Sequence, residues 1–194
     1  MGSKLGKKLE LMQLSLPLIL IVALMGVASN PSFAITSSQT KGFIYLDYIF
    51  YPTGKISNDI NINNNPDARE GDHIITFCSS EDDYGAIYWQ YPDSDWDDSK
   101  GIDLRGVKKL EFMVKSKNGS ENVLFAIGYP DSKYYVTKTV PKIPNNDWKR
   151  IEIQISPDKQ NKMNKVAAGF GCIIKREDNK NGCTIYLKDI RYVL

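Results

Sequence analysis

Lys149-Arg150-Ile151-Glu152-Ile153-Gln154-Ile155-Ser156 is the stretch that decides the fold. Ile151, Ile153 and Ile155 alternate with Glu152, Gln154 and Ser156. Successive side chains of an extended chain point to opposite faces, so this alternation gives one apolar and one polar face. Leu110, Phe112 and Val114 alternate with Glu111, Met113 and Lys115 in the same way. Strands of this kind belong to antiparallel sheets with one face on a core and the other in water.

Outward from these two stretches the same grammar recurs. Apolar and aromatic runs at Phe43 to Phe50, His73 to Cys78, Ala86 to Tyr91, Val107 to Ser116, Asn122 to Tyr129, Tyr134 to Val140, Ala168 to Ile174 and Thr184 to Leu194 are separated by turn residues. Asn118-Gly119 reads as a tight hairpin turn, and Asn118-Gly119-Ser120 also fits a glycosylation sequon. Tyr51 to Asp72 reads as a long irregular segment rich in Asn, Asp, Gly and Pro. No long amphipathic helix is supported, although Ser156 to Val166 has room for one helical turn. In the last run Ile185 and Leu187 share one parity while Ile190, Tyr192 and Leu194 hold the other, which places a β-bulge at Lys188-Asp189. About nine short strands with turns between them predict an all-β antiparallel sandwich or jelly roll.

The front end has a different character. Lys4, Lys7 and Lys8 precede a nearly apolar run from Leu11 to Ala28, and Ser32-Phe33-Ala34 presents small residues where a signal peptidase reads them. Residues 1–34 therefore read as a secretory signal helix cut after Ala34, or as an uncleaved anchor. Residues 35–42 form a short linker and 43–194 a single domain. Removing the leader from the 194 residues leaves 160, with 22 basic and 22 acidic residues from the original 25 and 23. That balance excludes a basic nucleic-acid footprint. Export to the cell surface or beyond is expected, with membrane contact only through an uncleaved leader, and a monomer is expected.

The chain has three cysteines and one histidine. Export permits a disulfide. Cys172 and Cys183 lie on two apolar runs joined by a polar loop, and a hairpin there would pair them, leaving Cys78 buried. The other reading is three small core residues. His73 alone supports neither a histidine-rich metal site nor a nucleophile triad, and no G-x-S-x-G, P-loop or dinucleotide motif is present. Carboxylates such as Glu81, Asp82 and Glu111 exist, but nothing selects a catalytic pair.

Trp89-Gln90-Tyr91-Pro92, Trp96 and Gly101-Ile102-Asp103-Leu104-Arg105-Gly106-Val107 resemble the front of a carbohydrate-binding-module-like jelly roll of the galactose-binding-like superfamily. Asn146-Asp147-Trp148-Lys149 resembles its middle, and Gly169-Phe170-Gly171 with Thr184 to Tyr192 its end. The resemblance implies non-catalytic binding of a polysaccharide or glycan. It also implies a structural calcium (Ca2+) held by an acidic residue of the last strand. The family's usual pair of adjacent Asp is here Lys188-Asp189. Hard cations take several oxygens, and Asp47, Asp67, Asp72 and Asp189 are the candidate ligands; the alternative is a loop of turn-forming Asn and Asp.

The densest chemistry lies between Tyr84 and Asp98. Sugars present apolar C–H faces ringed by hydroxyls, so a site for them combines flat aromatic rings with carboxylates or amides. Strand alternation puts Tyr88 and Gln90 on one face and Ile87, Trp89 and Tyr91 on the other. Ile87 marks the second face as the core, so Trp89 is read as a core residue. Tyr84, Tyr88, Gln90, Tyr91, Trp96 and Asp95 are the candidate ligand contacts. Trp96 is either a lid or a platform. Asp93, Asp95, Asp97 and Asp98 lack the glycine and terminal glutamate of an EF-hand and read as a solvated acidic loop. Trp148, at the mouth of the decisive strand, is read as a core or edge plug. The competing function is a cell-envelope structural or protein-interaction domain with no sugar site.

Overall fold

Ile151, Ile153 and Ile155 all point into a hydrophobic core, opposite Leu110, Phe112 and Val114. The structure, a computed structural model, describes residues 42–64 and 73–194. Its strands are β1 (Phe43–Tyr45), β2 (Tyr51–Ile56), β3 (Ile60–Asn64), β4 (His73–Phe77), β5 (Tyr84–Gln90), β6 (Lys109–Ser116), β7 (Val123–Ile127), β8 (Val136–Val140), β9 (Lys149–Gln154), β10 (Ala168–Lys175) and β11 (Cys183–Val193). A single helical turn, α1 (Pro157–Gln160), follows β9 where one turn was expected.

Two antiparallel sheets enclose the core. One runs β3-β4-β11-β6-β9, with β1 also pairing β11; the other runs β2-β5-β10-β7-β8. Apart from β3 to β4 and β7 to β8, every consecutive pair of strands passes from one sheet to the other. That interleaving is the jelly-roll arrangement of a β-sandwich. At its centre Phe112 meets Phe125 edge-on at 4.7 Å, and Phe170 packs against Phe112 at 5.1 Å and Trp89 at 5.0 Å. These rings are fully buried, and truncating one to alanine costs about 3–5 kcal/mol.

The segment read as irregular after Tyr51 contains β2 and β3. Its alternation is diluted by Asn and Pro, but edge positions tolerate both because their outer backbone groups need no partner. Asn118-Gly119 does form a turn, with Gly119 at φ +81°, yet it is not a hairpin. It carries the chain from β6 in one sheet to β7 in the other. The buried Glu121 carboxylate accepts the N–H groups of Asn118 and Ser120, both at 2.9 Å, and fastens this corner.

The hairpin expected to pair Cys172 with Cys183 is likewise absent. β10 and β11 belong to opposite sheets, and both cysteines carry free thiols facing the core. Burial raises both thiols, Cys183 to about 12. Cys78, expected to be buried, is exposed at the end of β4. The bulge does fall where the parity slips: β11 shifts register against β6 between Lys188 and Arg191, and Asp189 sits at φ +53°. Among the described residues no helix is long and apolar enough to cross a membrane. The leader, residues 1–34, and most of the linker lie outside the described residues.

Two outcomes follow from this core. A thiol reagent should label Cys78 alone in the native protein and all three cysteines after denaturation, without reductant; a single thiol after denaturation would contradict the free-thiol assignment. Glu111 is 5% exposed and bonded to Arg191 at 2.5 Å and Lys109 at 3.2 Å. Burial opposes its ionisation, but the hydrogen bonds from Arg191 and Lys109 outweigh burial and hold the carboxyl below its ordinary value. A depressed carboxylate stabilises above its unfolded value, near 4.3, and that stability is lost as pH falls through the folded value. The melting temperature of Glu111→Gln should therefore fall furthest below wild type near neutral pH, and the gap should close below about pH 4.

Candidate functional site

The outward face of the five-stranded sheet is built from small and aromatic residues. Antiparallel partners share a face, so the registers define rows across the strands. One row is Gly54, Tyr88, Gly171, Ala126 and Thr137; the next is Ile56, Ala86, Ile173, Leu124 and Thr139. Ala86, Tyr88, Ala126 and Ile173 are buried on this face together with Tyr129, away from the main core. A Cβ on Gly171 would lie 2.6 Å from the Tyr88 ring, so only glycine lets that ring lie down on the sheet.

Above this floor is a hollow of about 1040 Å³, lined among others by Tyr84, Tyr88, Trp96, Tyr129, Tyr135 and Ile173. Trp96, 45% exposed, stacks on Tyr129 at 5.5 Å and meets Tyr88 edge-on at 6.1 Å. Tyr88 and Tyr129 are 5.2 Å apart. The opposite rim is charged. Arg176 pairs with Asp83 and Lys175 with Glu177, and Lys180 adds a further cation.

The acidic loop holds Trp96 in place. Asp98 accepts hydrogen bonds from the Ser132 and Tyr134 hydroxyls and from the Ala167 N–H at 3.2 Å. Asp95 caps the N–H groups of Asp97 and Lys100 at 3.2 and 3.3 Å, and Asp97 caps Ser99 at 2.9 Å. Hydrogen bonds from the Ser99 side chain and backbone N–H hold the Asp97 carboxyl below its ordinary value. The loop is exposed to solvent, as expected, and its turns are fastened by the side chains of Asp95, Asp97 and Asp98.

Gln90 was expected to touch ligand and does not. Its side chain is fully buried under the loop, donating to Tyr129 Oη at 2.6 Å and to the Asp95 carbonyl at 3.2 Å, and accepting from Thr53 at 3.1 Å. The Tyr129 hydroxyl in turn donates to the Asp95 carbonyl at 2.5 Å. Burial pushes the Tyr129 phenol up to about 12, so the hydroxyl stays a donor across the ordinary pH range. Tyr88 lies on the expected face but is 4% exposed, and it lines the hollow as a wall. Tyr84 and Trp96 are exposed at the hollow. Tyr91 packs against the main core instead, and Asp95 acts through its hydrogen bonds within the loop. Trp89 is core, as parity demanded.

Of the candidate calcium ligands, Asp47 and Asp189 are among the described residues. Asp47 is bonded to His73 Nε2 at 3.1 Å, and Asp189 is exposed at the bulge beside Trp148 and Arg150. Asp67 and Asp72 lie outside the described residues. Among the described residues no group of three or more metal-ligating side chains converges. Trp148 is not a core plug: it is half-buried on the outward face of the other sheet, 4.3 Å from Lys188 Nζ.

No known family model matches the sequence, and no curated protein matches it. Solved structures do resemble it. A family 30 carbohydrate binding module is 13% identical over 71% of this chain and 75% of its own, with a TM-score of 0.46. The family 11 carbohydrate-binding module from Clostridium thermocellum, in complex with a β-1,3-1,4-mixed-linked tetrasaccharide, is 14% identical over 80% of this chain and 91% of its own, also at 0.46.

Reasoning from sequence missed Tyr129, Tyr135, Leu124 and Ile173. The signal for Ile173 was present, since the unbroken run Ala168 to Ile174 has no polar side to show water. Asp98→Ala leaves two hydroxyls and one amide without their acceptor, at about 1–3 kcal/mol for each buried group left unsatisfied. The variant should melt several degrees lower and show a red-shifted, more quenchable Trp96 emission; an unchanged emission would mean Asp98 does not fix the loop.

Proposed function

We propose that this protein binds carbohydrate, without catalysis, in the groove on the outward face of its five-stranded sheet. One observation carries the reading: the central outward rows of that sheet are apolar from β5 through β10 to β7. The outward face of an antiparallel sheet in a sandwich is ordinarily polar. Here Ile56, Leu124 and Ile173 form a floor beside the buried Ala86, Ala126 and Gly171, with Tyr84, Tyr88, Trp96, Tyr129 and Tyr135 around it. A concave apolar surface with few polar groups at its edge is the usual form of a ligand site. Aromatic faces take the C–H faces of sugar rings, and Asp83, Lys175, Arg176 and Lys180 stand at the rim for the hydroxyls. Asp83 and Glu177, the carboxylates at this rim, are engaged by Arg176 and Lys175, which supports binding over hydrolysis. The leader motif at 1–34 supports a place outside the cytoplasm, where such a ligand is found.

A screen of the full-length protein against neutral and charged glycans tests this. At least one polysaccharide should bind. Trp96→Ala should weaken that binding tenfold or more, about 1.4 kcal/mol, with a melting temperature near wild type. Ile173→Asp, which charges the floor, should abolish it. A folded protein that retains no glycan, or binding untouched by both variants, would contradict the proposal and favour a protein-interaction domain.

A further inference from the structure

The groove uses one sheet; the outward face of the other carries a separate cluster. Cross-strand register places Tyr186 beside Lys115, and Lys188 and Arg150 on either side of Met113. Trp148, just ahead of β9, gathers two of these cations. Lys188 Nζ lies 4.3 Å and Lys115 Nζ 4.9 Å from its ring centroid, and Lys115 is also 5.1 Å from Tyr186. Beside them is a hollow of about 420 Å³ lined by Trp148, Arg150, Lys188, Arg191, Glu111 and Asp189.

The charges on this face divide into two groups. Glu111 and Glu152 are already served, by Lys109 and Arg191. Lys115, Lys188 and Arg150 have no carboxylate within ion-pair distance among the described residues. Two ammonium groups held at one indole repel each other, and the ring's attraction for cations fixes them there. Asp189, exposed at the bulge, leaves the hollow with more positive than negative side chains. Two cations held over an aromatic ring, with a third lining the hollow beside it and none paired to a carboxylate, are complementary to an anion that arrives from outside.

We infer that this face is a second binding site, for an acidic polysaccharide whose carboxylate groups meet Lys115, Lys188 and Arg150 around Trp148. It lies on the sheet opposite the groove, so it engages a charged chain independently of the groove's ligand. Attraction between exposed charges is screened by salt, so the interaction weakens as ionic strength rises.

The test is affinity electrophoresis of the full-length protein in gels cast with polygalacturonate, alongside pull-down with phosphatidylglycerol vesicles. Polygalacturonate should retard the wild type at low salt. The retardation should fall at least tenfold in Lys115→Ser/Lys188→Ser, in Arg150→Glu and at high salt, and persist in the groove variant Trp96→Ala. Arg150 is exposed, so its variant reports even where the double variant fails to fold. No retardation of the wild type, or retardation unchanged in Arg150→Glu, overturns the inference. Loss in Trp96→Ala alone overturns it too and assigns the acidic glycan to the groove. Vesicle capture without polygalacturonate retardation overturns it in favour of a lipid surface.

Discussion

Tyr88 lying on Gly171 is the contact from which the groove follows. The ring occupies the space that any Cβ at Gly171 would need, with the Ala126 methyl alongside. Because the ring lies against the strands, it walls the hollow without filling it, and Trp96 and Tyr129 then close on its edge. A larger residue at 171 would lift the ring into the cavity. The five-stranded sheet thereby sets one aromatic layer, Trp89 and Phe170, into the core, and a second, Tyr88 with Tyr129 and Trp96, on its outward face. The first layer stabilises the fold; the second buries Tyr88 and Tyr129 and leaves Trp96 half-exposed at the groove.

Preorganisation comes from hydrogen bonds that the acidic loop makes with itself and with its neighbours. Asp98 ties the loop to Ser132, Tyr134 and the Ala167 amide, while the Gln90, Tyr129 and Asp95 chain ties it to β5. Binding surfaces held this way lose little side-chain entropy when they engage a ligand. Three of the carboxylates of 93–98, those of Asp95, Asp97 and Asp98, thus have a structural use within the loop and its anchors.

Much of the architecture was legible in the sequence because one face of each sheet obeys the simplest rule. The isoleucines of β9 and the apolar positions of β6 fixed the core, the parity slip at Lys188-Asp189 located the bulge, and Ile87 identified Trp89 as core. Turn residues were less informative. Asn118-Gly119 and the polar loop before Cys183 say that the chain reverses, but not whether it returns to the same sheet or crosses to the other; in both places it crosses. Strands β2 and β3 were hidden because edge strands tolerate Asn and Pro. In the site, alternation placed Tyr88 and Gln90 on the correct face, yet exposure depends on what covers that face. Gln90 lies under a loop anchored by residues as distant in sequence as Tyr134 and Ala167. The groove floor escaped notice because Leu124 and Ile173 read as ordinary buried strand residues.

The central claim is that the outward face of the five-stranded sheet is a ligand surface, and chemical-shift mapping tests it most directly. Amide spectra of the isotopically labelled protein would be followed during titration with neutral and acidic oligosaccharides. The account predicts that a neutral ligand shifts Ala126, Gly171 and Ile173 and the Trp96 indole, leaving β6 and β9 unmoved. Shifts confined to the other sheet, or none at Gly171 and Ile173 with a ligand shown to bind, would contradict it.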